Sequence, residues 1–111
     1  MEIRSHGVPL EITGFETVME GADMRVVMLT LGPGECVPWH FHSDITDHFF
    51  CLEGPMVVET RAPRRQNHLA AGGSCAVPPK TAHHVHGKDG GPCRFLVLQG
   101  VGAYDNHPVG G

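Results

Sequence analysis

Glycine and proline cut this chain into pieces suited to strands rather than long helices. The 111 residues include 15 glycines and 9 prolines, and the apolar residues between them fall in short runs. Met24–Leu31 (MRVVMLTL) is the densest and stops at Gly32-Pro33-Gly34. A short apolar run closed by turn residues reads as a buried strand. The same logic makes Glu35–His42 extended, with Pro38 at an edge or bulge. Ser43–Thr46 is a polar loop, Asp47–Leu52 a strand and Glu53-Gly54-Pro55 a turn. Met56–Arg61, Ser74–Val77, His83–His86 and Arg94–Gln99 continue as strands, with turns at Ala70–Gly73, Pro78–Thr81 and Gly87–Pro92. No stretch of helical period stands out; Phe15–Met19 has room for one helical turn. About eight or nine short strands with close turn signals suggest an all-β sandwich or barrel. A small barrel can hold a ligand in its mouth.

A chain of this length reads as one domain over residues 1–111, with enough apolar residues for one core. Net charge is −4 with histidine neutral, which disfavours nucleic acid, whose partners are usually basic. The basic run Arg61, Arg64 and Arg65 is a solvated hairpin turn, or else a rim that attracts an anion. No apolar run is long enough for a membrane-spanning helix, and the N-terminus lacks a signal pattern. The expectation is a cytoplasmic protein with no membrane partner. Cys36, Cys51, Cys75 and Cys93 form no C-x-x-C pair, so thiols packed as small apolar groups are expected.

Chemistry concentrates in GPGECVPWHFHSDITDHFFCLEG, Gly32 to Gly54, and in GGSCAVPPKTAHH, which brings His83. His40 and His42 stand two apart, so on an extended segment they share a face. Asp47 and His83 are candidates to complete a metal site. His6, His68 and His107 read as ordinary surface histidines, and His84 and His86 as flanking residues rather than ligands.

The spacings carry a family resemblance. Gly34, His40, His42, Asp47 and Gly54 stand as in the first cupin motif, G-x5-H-x-H-x3,4-E-x6-G. Gly72, Pro78, Lys80, His83 and Gly87 follow the second, G-x5-P-x-G-x2-H-x3-N, with Lys80 and Gly87 as departures. The resemblance implies a double-stranded β-helix, a small jelly-roll barrel. It also implies a divalent metal held by His40, His42, Asp47 and His83, the ion being iron, manganese, nickel, copper or zinc. Asp47 is one methylene shorter than the family's glutamate, so it either reaches the ion or orients a ligand from behind. His48 is a rival fourth ligand, which strand alternation turns away if Asp47 points inward.

With His40 inward, alternation places Cys36 and Pro38 on the same face, and Asp47 brings Phe49 and Cys51. Trp39, Phe41, Phe50 and Leu52 then face outward, towards a second sheet or a subunit interface; cupins commonly pair, so a homodimer is expected. The resemblance implies a metal-dependent enzyme on a compact small-molecule substrate, by oxygenase, isomerase or lyase chemistry, with His48 a candidate general base. The alternative is a non-catalytic module that binds a small molecule or a metal. A purely structural zinc is disfavoured, because the cysteines sit outside the ligand spacing.

Overall fold

The computed structural model describes residues 2–5 and 8–110; for residues 2–5, 8 and 9 only the backbone is described. His6 lies outside the described residues. Among the described residues twelve strands follow in order: β1 (Glu2–Ser5), β2 (Val8–Glu11), β3 (Gly14–Glu20), β4 (Met24–Leu31), β5 (Cys36–Phe41) and β6 (Thr46–Glu53). Then come β7 (Met56–Thr60), β8 (Arg65–Leu69), β9 (Ser74–Val77), β10 (His83–Gly87), β11 (Cys93–Gly100) and β12 (His107–Pro108), with one 3-10 turn at Lys88–Gly90. β1 and β2 pair as a hairpin, and two five-stranded sheets ordered β12-β5-β10-β7-β8 and β3-β4-β11-β6-β9 complete the double-stranded β-helix. All the strand pairs are antiparallel.

The core follows from the two-residue period. In β4, Val27, Leu29 and Leu31 are buried while the residues between them are not. In β11, Phe95 and Val97 do the same, and in β6 Phe49 and Cys51. Val37, Met56, Val58 and Val85 join them from the other sheet. Alternation inside each strand thus turns one apolar face of each sheet towards the other.

Two sequence expectations change. Phe15–Met19 is not a helical turn but the body of β3, paired with β4 from Gly14↔Thr30 to Glu20↔Arg25. Met19 is 69% exposed and Val18 50%, so no buried face marks this edge strand; its ladder with β4 supplies what its own period does not. The segment read as a basic loop narrows to residues 61–64, and Arg65–Leu69 is β8, paired with β7. Its side chains are mostly exposed, which hid it for the same reason.

The motif glycines Gly34 and Gly72 have φ of +77° and +89°, where a side chain would be strained. Lys80 stands where the motif has glycine and adopts φ +61°. The turn therefore keeps its left-handed shape against a modest backbone penalty. Lys80 N–H donates to the His42 carbonyl at 2.7 Å, which ties this turn to the histidine segment. Gly87, where the motif has asparagine, lies so close to Gly91 that an added Cβ would fall 1.7 Å from the Gly91 carbonyl oxygen.

Candidate metal centre

Register brings the site together. His40 on β5 is the direct cross-strand partner of His83 on β10, so two imidazoles face inward side by side, with ring centroids 4.2 Å apart. His42 lies just past β5, and its ring sits 4.8 Å from His40. Asp47 comes from β6 in the opposite sheet. Donor atoms of His40, His42, Asp47 and His83 all lie within 4.8 Å of one another, and all four residues are buried.

Backbone carbonyls aim each ring. His40 Nδ1 donates to the Pro38 carbonyl at 2.7 Å, His42 Nδ1 to that of Asp105 at 2.6 Å, and His83 Nδ1 to that of Thr81 at 2.8 Å. A carbonyl only accepts, so Nδ1 carries a proton and the neutral ring keeps its lone pair on Nε2. Nε2 of His42 and of His83 lie 3.0 and 2.9 Å from the same Asp47 oxygen, Oδ2. Lone pairs facing a carboxylate repel unless positive charge lies among them, as a proton or a metal ion. Ligand atoms about 2.0–2.1 Å from one ion stand about 2.9–3.4 Å apart in octahedral or tetrahedral arrangements. The two separations to Asp47 fit, and one carboxylate with three imidazoles suits a divalent transition metal.

Behind Asp47 runs a ladder that sequence reading missed. Arg25 on β4, Gln99 on β11 and Asp47 on β6 are successive cross-strand neighbours. Gln99 Nε2 donates to Asp47 Oδ1 at 3.1 Å, and Arg25 Nε donates to Gln99 Oε1 at 2.5 Å. The Arg25 guanidinium carbon lies 4.1 Å from the Tyr104 ring centroid. Arg25 and Gln99 were legible in part, since period two puts them in line with Val27 and Val97. Nothing in residues 101–106 announces Tyr104 or Asp105. A cavity of about 40 Å³ opens beside His40 and Asp47, with Arg25, Gln99, Tyr104 and Asn106 on its polar side and Phe49, Phe95 and Val97 on its apolar side.

Other expected neighbours lie elsewhere. β5 puts Pro38 and Trp39 against His84 alone, between the pairs His83↔His40 and Val85↔Val37. This bulge breaks the alternation, so Val37 is buried in place of Cys36 and Pro38. Burial raises the Cys36 thiol above its usual pKa, and Cys36 is outside the donor group. His48 is half-buried and stacks on Phe50 at 4.5 Å, away from the centre. It therefore serves neither as fourth donor nor as a base beside the cavity. Phe49 and Cys51 are buried as alternation required, while Leu52 is exposed.

The Cupin domain family profile matches residues 27–99. The chain belongs to the cupin family. Among solved structures this cupin resembles a Klebsiella pneumoniae protein with a double-stranded β-helix domain at TM-score 0.77 and 20% identity, over 98% of this chain and 90% of that one. A cupin superfamily protein from Desulfitobacterium hafniense matches at TM-score 0.69 and 16% identity, over 78% and 75%. Oxalate decarboxylase of Lactobacillus farciminis matches at TM-score 0.69 and 17% identity, over 78% of this chain but 27% of that one. No curated protein is similar enough in sequence to match. These likenesses show the fold. Among the described residues, no helix of this cupin is long and apolar enough to cross a membrane.

Electrostatics at the centre give a pH signature for the chelator-treated cupin. Burial, reinforced by His83, lowers the His40 pKa from 6.5 to about 4. Unfolded, His40 takes a proton as pH falls below 6.5; folded, it refuses one until about 4. Stability is therefore lost across that window, by about 3 kcal/mol for this group. His42 behaves oppositely: burial pushes its pKa down, but the Asp47 hydrogen bond and charge outweigh that and raise it. Its stabilisation is complete below 6.5 and fades as pH rises through the raised value. Burial also works against the Asp47 charge, yet His42 and His83 hold its pKa well below the carboxylate range, so its contribution is lost only in stronger acid. Stability should peak near pH 6.5. Denaturant melts from pH 4 to 9 check this, and a His40→Gln variant should flatten the acid limb; an unchanged limb would refute the assignment.

Proposed function

We propose that this cupin is a metal-dependent enzyme whose substrate is a compact organic anion, with His40, His42, Asp47 and His83 as the metal ligands. One observation carries the reading: His40 and Asp47 of the buried donor group and the Arg25 side chain, 6% exposed, line the same small cavity. A bound divalent ion would act there as a Lewis acid on a carbonyl or carboxylate oxygen, or would offer a position for dioxygen. Arg25 supplies fixed positive charge that a carboxylate or developing enolate would meet in a poorly solvated pocket. Gln99 holds Arg25 and Asp47 in one line, so the guanidinium and the carboxylate cannot drift independently. Asn106 Oδ1 is buried without a hydrogen-bond partner and offers an acceptor at the cavity wall. Phe49, Phe95 and Val97 keep the apolar side dry.

Size narrows the substrate. A cavity of about 40 Å³ is far smaller than the roughly 150 Å³ that admits benzene. The smallest carboxylic acids are near that size, and short dicarbonyls would extend into the adjoining grooves that share Arg25, Gln99 and His40 with the cavity. Formate, bound in the Lactobacillus farciminis oxalate decarboxylase structure, is of this class and size. The proposed reaction is oxygenase, isomerase or lyase chemistry at the carbon next to the bound oxygen.

The test is reconstitution of stripped protein with Mn²⁺, Fe²⁺, Ni²⁺ or Zn²⁺ singly, followed by turnover assays on small carboxylic acids and dicarbonyls, with oxygen uptake recorded. Arg25→Met should raise KM for anionic substrates by about 10–100-fold, the worth of one charge-assisted hydrogen bond. Neutral substrates should be little affected. Metal uptake with no turnover on any member of the panel would favour a metal- or ligand-binding module instead.

A further inference from the structure

A second group of metal-donor side chains sits on the outer face of the β12-β5-β10-β7-β8 sheet, whose inner face carries His40 and His83. His84 and His86 stand two apart on β10 and share the face opposite His83 and Val85. Glu59 on β7 is the direct cross-strand partner of His84. The three offer donor atoms within 4.8 Å of one another, and among the described residues only this trio and the central four do so. Their side chains are 22%, 24% and 15% exposed for His84, His86 and Glu59. They are open to dissolved ions yet not fully solvated.

The local chemistry repeats that of the centre. His86 Nδ1 donates to the Gly87 carbonyl at 2.8 Å, so the neutral ring keeps its lone pair on Nε2. That Nε2 lies 2.7 Å from Glu59 Oε2, and His84 Nδ1 lies 3.4 Å from the same oxygen. These separations bracket the about 2.9–3.4 Å expected between ligands of one ion. Gln66 Nε2 donates to the other carboxylate oxygen, Oε1, at 3.4 Å, leaving Oε2 for the imidazoles. Trp39, outward by alternation with His40, stacks on the His84 ring at 5.3 Å and limits its rotation. The Arg61 guanidinium carbon in turn lies 4.0 Å from the Trp39 ring centroid.

We propose that Glu59, His84 and His86 form a second site for a divalent transition metal of the Zn²⁺, Ni²⁺ or Cu²⁺ class. Two imidazoles and one carboxylate are the borderline donors these ions favour. Three protein donors leave the remaining positions to water, so the ion exchanges more readily than one in the buried centre. The site does not depend on the catalytic reading of the cavity.

Stripped protein comprising residues 1–111 is titrated with Zn²⁺ by calorimetry, beside His42→Ala and His86→Ala. The expected result is two Zn²⁺ per chain in the parent and one in each variant. Retention of both ions by His86→Ala, or a single ion lost only in His42→Ala, would overturn the outer site and leave the central one intact. A single ion lost only in His86→Ala would support the outer site while removing the metal basis of the proposed enzyme. Trp39 is the one tryptophan in the chain, which gives an independent readout. Cu²⁺ should quench its fluorescence in His42→Ala, and the half-quenching concentration should rise at least tenfold in His42→Ala/His86→Ala. Equal quenching curves would overturn the proposal. The substituted side chain at His86 is part-exposed, and circular dichroism verifies that each variant is folded.

Discussion

A His83→Ala variant should lose the ion of the central site while the outer site is untouched, with central-site affinity falling by more than the about 10–100-fold that loss of an outer hydrogen-bonding partner costs. The ring is 1% exposed and cannot be replaced by water without opening the core. Its Nε2 lies 2.9 Å from Asp47, its centroid is 4.2 Å from His40, and Phe49 packs edge-on against it at 6.0 Å. Removal takes away one donor and the wall that orients a second. It also leaves the buried Asp47 carboxylate with His42 and Gln99 alone. Leaving a buried polar group without a partner costs about 1–3 kcal/mol and more for a charged one, so the stripped variant should be destabilised as well. His42→Ala should behave alike. His68→Ala is the control, since His68 is exposed on β8. Elemental analysis after dialysis decides: equal occupancy in His83→Ala and His68→Ala would sink the four-residue assignment. Binding by the parent should also weaken as pH falls through the histidine range, because protons compete for the same nitrogens.

Phe95→Ala should cost about 3–5 kcal/mol of stability, the range for emptying a buried aromatic position. Phe95 is fully buried on β11, the strand between β4 and β6, with its ring 5.9 Å from that of Phe49. Phe49 is the residue packed against His83. The cavity left by Phe95 therefore loosens the support of a proposed ligand, and metal affinity should fall although no donor is touched. Leu52→Ala, at a position 42% exposed, should change stability by about 0.5 kcal/mol or less. Urea melts of the two variants beside the parent check this; a Phe95→Ala loss no larger than that of Leu52→Ala would show that the core is elsewhere.

Much of this architecture could be read along the chain because it depends on neighbours a few residues apart. β4, β6, β7, β9, β10 and β11 lie within about one or two residues of the runs marked by apolar alternation and turn residues. The inward faces of β4, β6 and β11 follow from period two. The edge strand β3 and the exposed β8 escaped, because neither carries a clear buried stripe and both owe their conformation to a ladder with a partner. Alternation also misplaced Cys36 and Pro38, since a bulge adds a residue without altering composition.

The linear order by itself determined which residues could serve as metal donors. The H-x-H pair, Asp47 and His83 are chemically suited wherever they fall, and the motif spacing singles them out. Only the tertiary structure decided what stands beside them. Arg25, Gln99 and Asp47 become neighbours through the registry of three strands distant in sequence, and Glu59 meets His84 through the registry of two. Tyr104 and Asp105 reach the centre through a segment with no periodic signal. The reason is physical: alternation is a property of one strand, whereas register is set by the simultaneous packing of two sheets.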